Sequence, residues 1–122
     1  MRITLRTLKE STTYAWRGIL YVFRNEQNFR IQLIIGLLVV VLGWIFRISK
    51  LEAVALIFVI TAVLVMEVLN TVLERFIDIV KPRLHSYAGV IKDMMAGAVM
   101  LTAIGAIIVG LVILLPYVAP IL

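Results

Sequence analysis

The stretch LEAVALIFVITAVLVMEVLNTVLERFID, residues 51–78, carries no charge from Ala53 to Met66 and then places Glu67, Asn70, Glu74 and Asp78 in quick succession. At about 100° per residue these four polar side chains fall within a sector about 80° wide on one helix face, and Val68, Leu69, Val72, Leu73 and Phe76 take the remainder. The segment therefore reads as a membrane helix with a carboxylate stripe. A carboxylate at membrane depth is costly unless it meets a cation, a metal ion or a water-filled pocket, so such residues mark function by default.

The rest of the chain supports that setting. Of its 122 residues, 63% are hydrophobic, far beyond the apolar share of a soluble domain. Runs over 31–46, 51–73 and 94–118 are long enough to approach the roughly 30 Å of a hydrocarbon core. With their flanks they predict spans at about 29–48, 52–79 and 86–118, each helical because lipid offers backbone groups no alternative partner. Three helices make a very small bundle, which points to a homo-oligomer. No linker, repeat or low-complexity segment divides residues 1–122, so one membrane-embedded domain is expected.

Residues 4–25 carry Leu5, Leu8, Thr12, Ala15, Ile19 and Val22 at three- and four-residue steps, with Arg6, Lys9, Glu10, Arg17 and Arg24 largely elsewhere. That is the pattern of an amphipathic helix lying on the membrane surface. On their own, Trp16, Tyr14 and Tyr21 are an ordinary aromatic belt. The charged region before the first span is too long for a signal peptide, and no small-residue cleavage site follows it.

The net charge of +5 is one-sided: six cations precede the first span, and Arg75, Lys81, Arg83 and Lys92 surround the second connection. Only Arg47 and Lys50 lie between the first two spans, and no charge follows the third. The positive-inside rule puts the N-terminus and the 81–92 loop in the cytoplasm and the C-terminus outside. Topology and anionic headgroups account for these cations, so nucleic acid is not an expected partner. The absence of cysteine excludes disulfides, thiolate metal sites and a cysteine nucleophile.

Glu26 lies where the chain enters the bilayer, at the same end as Glu74 and Asp78. Carboxylates meeting there either repel or share a divalent cation, and with no cysteine and one histidine a hard ion such as Mg2+ fits best. Glu67 is roughly 10 Å deeper than Glu74 along the axis, a depth suited to a general base acting on a lipid hydroxyl. The 81–87 loop holds Lys81 and Arg83, a proline stop at Pro82, and Ser86 as the expected cap of the third span. Its cations suit phosphate. Alone, Lys92-Asp93 is a charged helix start and His85 a loop hydrogen-bond partner. Neither GxxxxGK[ST] nor GxGxxG occurs, which excludes the common nucleotide-binding loops.

Glu67-x-x-Asn70-Thr71-x-x-Glu74-x-x-x-Asp78 followed by His85-x-x-Ala88-x-x-Ile91-Lys92-Asp93 resembles the signature of the small bacterial diacylglycerol kinase and undecaprenol kinase family. Trp16-Arg17-Gly18 and Asn25-Glu26-x-x-Phe29 extend the resemblance from about Tyr14 to Ala98. It implies an all-α integral membrane homotrimer in the bacterial cytoplasmic membrane, with a surface helix, three transmembrane helices and active sites shared between protomers. It implies Glu67 as proton acceptor, Asn70 as an orienting group, and Glu26 and Glu74 as ligands of Mg2+ on ATP. Nucleotide contacts are implied for Tyr14, Glu26, Glu74, Asp78, Arg83, His85, Lys92 and Asp93, and lipid contacts for Trp16, Arg30 and Glu67. Arg6 and Thr7 compete for the place of a further N-terminal nucleotide contact. The run 92–99 looks slightly closer to the undecaprenol branch, so undecaprenol stands ahead of diacylglycerol as acceptor. Two other classes fit the stripe: a small cation or proton pathway, which predicts conduction without ATP, and a membrane adaptor, which predicts little loss when Glu67 becomes Gln.

Overall fold

The computed structural model describes residues 2–81, 83 and 86–122. Among these residues four α-helices follow in order: α1 (Leu5–Asn25), α2 (Gln27–Ile45), α3 (Lys50–Val80) and α4 (Ala88–Val118), with a 3-10 turn at Ala119–Ile121. Three of them, α2, α3 and α4 with its terminal turn, are long and apolar enough to cross a membrane. Their outward faces remain apolar: Leu38, Phe58, Leu101 and Val112 are all exposed. Surfaces of that kind are buried by lipid or by another copy of the chain.

Local chemistry sets the ends of these helices. Thr4 caps α1 through a reciprocal pair with Thr7. Glu26 ends α1 and precedes α2 in an extended conformation (φ −117°, ψ 108°), so the chain turns sharply there. Arg30 secures the corner: its Nη1 donates to the carbonyls of Phe23 at 2.7 Å and Arg24 at 3.0 Å, satisfying otherwise orphaned acceptors at the end of α1. α2 stops at Ile45, short of the expected 48, because Arg47 adopts a positive φ of 53° and the chain reverses. Ser49 then caps α3 in a capping box with Glu52.

α4 starts at Ala88 with Tyr87 in the capping position and no side-chain cap, which corrects the expectation for Ser86. The buried Ala88 opens the helix two residues beyond Ser86, one too far for its hydroxyl to serve as the cap. The proline stop expected at Pro82 lies outside the described residues.

α3 packs along both α4 and α2, and α1 touches the start of α2 and the end of α3. At the end away from the carboxylate stripe, the Tyr117 hydroxyl donates to Glu52 Oε1 at 2.7 Å and its ring stacks on Phe46. This pins the end of α4 to the α2–α3 turn. The α2–α3 contact depends on Gly36, which is buried. A Cβ there would come within 2.7 Å of Ile60 Cγ2, a methyl on a branched carbon that cannot swing away cheaply. Gly36→Val is expected to destabilise the folded chain by about 1–3 kcal/mol; its thermal midpoint in detergent checks this, and an unchanged midpoint would show that the helices separate freely.

Candidate active site

α3 is 31 residues long, about 46 Å at 1.5 Å per residue, so it outreaches the hydrocarbon core and can hold carboxylates at two depths. The deeper one, Glu67, is only 4% exposed. No cation meets it. Gln32 Nε2 on α2 donates to Glu67 Oε1 at 2.9 Å, while the Thr71 hydroxyl bonds the backbone carbonyl of Glu67 at 3.1 Å. Gln32 Oε1 is itself buried with no partner among the described residues.

A cavity of about 480 Å³ runs away from Gln32 between α2, α3 and α4, with Gly36, Ile60, Ala103, Gly110 and Leu114 in its walls. It is almost wholly apolar, and the amide of Gln32 stands at the end of it nearest Glu67. A second cavity of about 560 Å³, beside Trp44, Arg47 and Ile48, lies at the opposite end of α2, away from the carboxylates.

One to three turns beyond Glu67 the polar groups pair off. Asn70 Nδ2 donates to Glu74 Oε1 at 3.2 Å, one helical turn apart on the same face. Arg75 Nη2 lies 3.2 Å from Glu26 Oε1 and joins the α1–α2 corner to α3. Arg75 Nε also donates to the Tyr21 hydroxyl at 3.0 Å, with the guanidinium over the Tyr21 ring. Lys92 Nζ meets Asp78 Oδ1 at 3.3 Å and links α4 to α3.

The structure thus gathers Glu26, Glu67, Asn70, Glu74, Asp78 and Lys92 at one end of the bundle. Arg30 is turned back on α1. Tyr14, whose ring lies under Arg17, and Trp16 are exposed on α1, and Arg83 and Asp93 are exposed near the start of α4. No hydrogen bond joins these four to the acids among the described residues. His85 lies outside the described residues. Two members of the cluster, Gln32 and Arg75, were not expected from the sequence.

A family model described as prokaryotic diacylglycerol kinase matches residues 13–114. The chain belongs to that family. This diacylglycerol kinase family comprises phosphotransferases with an alcohol as acceptor. Among curated relatives, a diacylglycerol kinase of Synechocystis is 38% identical over 107 residues, covering 87% of this chain and 61% of the relative. The chain therefore spans less than two thirds of that protein. An undecaprenol kinase of Bacillus subtilis is 32% identical over 94% of both chains. A diacylglycerol kinase of Escherichia coli is 31% identical over 83% of both.

Gln32→Leu removes the one side chain that bonds the Glu67 carboxylate among the described residues, and is expected to lower kcat for phosphoryl transfer about tenfold, the scale of one hydrogen bond to a charged group. The thermal midpoint should fall as well, because the buried Glu67 carboxylate loses its donor, a cost that removal of the orphaned Gln32 carbonyl offsets only in part. Unchanged kcat would mean that Gln32 does not orient the carboxylate.

Proposed function

We propose that the chain is an ATP-dependent lipid kinase, working as one membrane domain over residues 1–122, that transfers the γ-phosphate of ATP to the hydroxyl of a membrane lipid alcohol. Undecaprenol is the first acceptor to test and diacylglycerol the second. The observation that carries the reading is Glu67: a carboxylate buried below the polar end of the bundle, held by a neutral amide and beside an apolar cavity. A structural carboxylate at such depth needs a cation, whereas a proton acceptor is best served by a partner that leaves its charge available.

Glu67 Oε1 accepts from Gln32, so Oε2 is the oxygen that takes the proton of the lipid hydroxyl. The hydroxyl oxygen bonds to the γ-phosphorus, the bond from that phosphorus to the β–γ bridging oxygen breaks, and ADP departs. The apolar cavity receives the hydrocarbon chain, and Asn70, bonded to Glu74, keeps the upper face of α3 aligned with the base. Rate comes mostly from positioning and charge neutralisation.

Glu26 and Glu74 fit a magnesium ion. Each gives one carboxylate oxygen to a single donor, and its other oxygen carries no hydrogen bond among the described residues. Among the described residues no group of three or more carboxylates or imidazoles could hold a metal ion, so any ion here would be bound through one or two carboxylates, substrate phosphates and water. Bound there, Mg2+ would neutralise charge developing on the phosphates. Asp78, Lys92, Asp93, Arg83, His85 and Tyr14 serve the nucleotide, and Trp16 and Arg30 the lipid. α1 lies on the cytoplasmic membrane surface, the N-terminus and the 81–92 loop face the cytoplasm, and three protomers share sites at their interfaces.

The test is transfer of the terminal phosphate of ATP to undecaprenol and to diacylglycerol, side by side, in mild detergent with Mg2+. Transfer to either lipid establishes the activity and names the acceptor. Transfer to neither, by an intact oligomer with lipid present, overturns it.

A further inference from the structure

On a helical wheel Arg75 points about 100° away from Glu74 and off the carboxylate stripe. The structure nevertheless brings it to the site, because its long side chain reaches across to the α1–α2 corner. Its Nη2 is 3.2 Å from Glu26 Oε1 and its Nε bonds the Tyr21 hydroxyl at 3.0 Å. Of the five N–H donors of a guanidinium, those on Nη1 have no partner among the described residues. The side chain is 43% exposed and that of Glu26 is 21% exposed, so the pair sits at the mouth of the site and is individually weak.

The charge balance at this end calls for more than a metal ion. Glu26, Glu67, Glu74 and Asp78 bring four carboxylates to a place where a triphosphate is to bind. Arg30 is turned to the carbonyls of α1, and Lys92 is paired with Asp78. Among the described residues, Arg75 is the cation paired with one of the proposed metal ligands, Glu26. A phosphate oxygen that shares Mg2+ with Glu26 lies within about 4 Å of it, twice the usual metal–oxygen distance, and so within reach of a guanidinium already touching that carboxylate.

We propose that Arg75 is a phosphate-contacting residue of the nucleotide site, held on Glu26 and Tyr21 in the nucleotide-free protein and turned to the β- and γ-phosphates when nucleotide binds. Its planar fork matches phosphate oxygens two at a time, a stronger arrangement than its single bond to Glu26. Tyr21 keeps the guanidinium in place during the exchange, by the Nε bond and by its ring face. The inference rests on the lipid-kinase reading.

The experiment is equilibrium binding of a non-hydrolysable ATP analogue and of AMP to the full chain in detergent, with Mg2+ and with EDTA. Wild type is compared with Arg75→Ala, Arg75→Lys and Glu26→Gln. Arg75→Ala is expected to weaken the analogue about tenfold in both media, the loss of a charge-assisted contact, and to leave AMP within twofold. Arg75→Lys should fall between, and thermal midpoints should stay within a few degrees. Analogue affinity within twofold of wild type overturns the proposal. So does equal weakening of AMP and analogue with a lowered midpoint, which would make Arg75 only a clamp between helices. Glu26→Gln reports separately: if it leaves the Mg2+ dependence of binding unchanged, the metal assignment fails, while the effect of Arg75 is still read in EDTA.

Discussion

Glu67→Gln is expected to lower kcat for lipid phosphorylation by at least about a hundredfold, the lower end of what a positioned general base contributes, with nucleotide affinity and assembly intact. The substitution keeps the shape of the side chain, and its carbonyl oxygen can still accept from Gln32 Nε2. Only the ability to take a proton is removed. Stability should be unchanged or higher, since a neutral amide at 4% exposure needs no compensation for a buried charge. The readouts are kcat, the KM for Mg-ATP and the thermal midpoint. Loss of kcat with the other two preserved assigns the base, and activity above a tenth of wild type would remove Glu67 from that role. The same variant separates the kinase from an adaptor, for which the polar face of α3 is only a packing surface.

How much of this site the sequence discloses depends on which interactions are periodic. Glu67, Asn70, Glu74 and Asp78 lie on one helix, and their spacing alone fixes a shared face. The long apolar runs of α2, α3 and α4 are equally plain, because lipid demands them. Gln32 escapes such a reading: it is a single polar residue in an apolar run, and only the close approach of α2 to α3 at Gly36 and Ile60 brings its amide to Glu67. Arg75 escapes for the opposite reason, since the wheel describes where a Cβ points and not how far an arginine reaches. Its partners Glu26 and Tyr21 are 49 and 54 positions away in the chain. The end of α2 is illegible for a local reason: Arg47 is an unremarkable interfacial cation until its positive φ shows that the chain has already turned.

The second large effect is expected at the carboxylate pair. Glu74→Gln and Glu26→Gln should each reduce turnover at least about a hundredfold at wild-type Mg2+ concentration, because charge neutralisation at the phosphates supplies much of the rate in phosphoryl transfer. The two variants differ in their secondary cost. In Glu74→Gln the new carbonyl can still accept from Asn70 Nδ2, so the α3 face keeps its hydrogen bond. In Glu26→Gln the Arg75 guanidinium loses its ion-pair partner at the α1–α2 corner. That loss should stay below about 1 kcal/mol, because the pair is partly exposed. A magnesium titration of turnover, beside a thermal midpoint for each variant, tells catalysis from stability. Activity recovering in part at high Mg2+ would locate the defect in holding the ion, since a weakened ligand set still binds when the ion is abundant. If both variants turn over normally at the wild-type concentration, neither carboxylate holds the metal. Asp78 would then be the next carboxylate on the stripe to test, with its Lys92 partner displaced to leave it open.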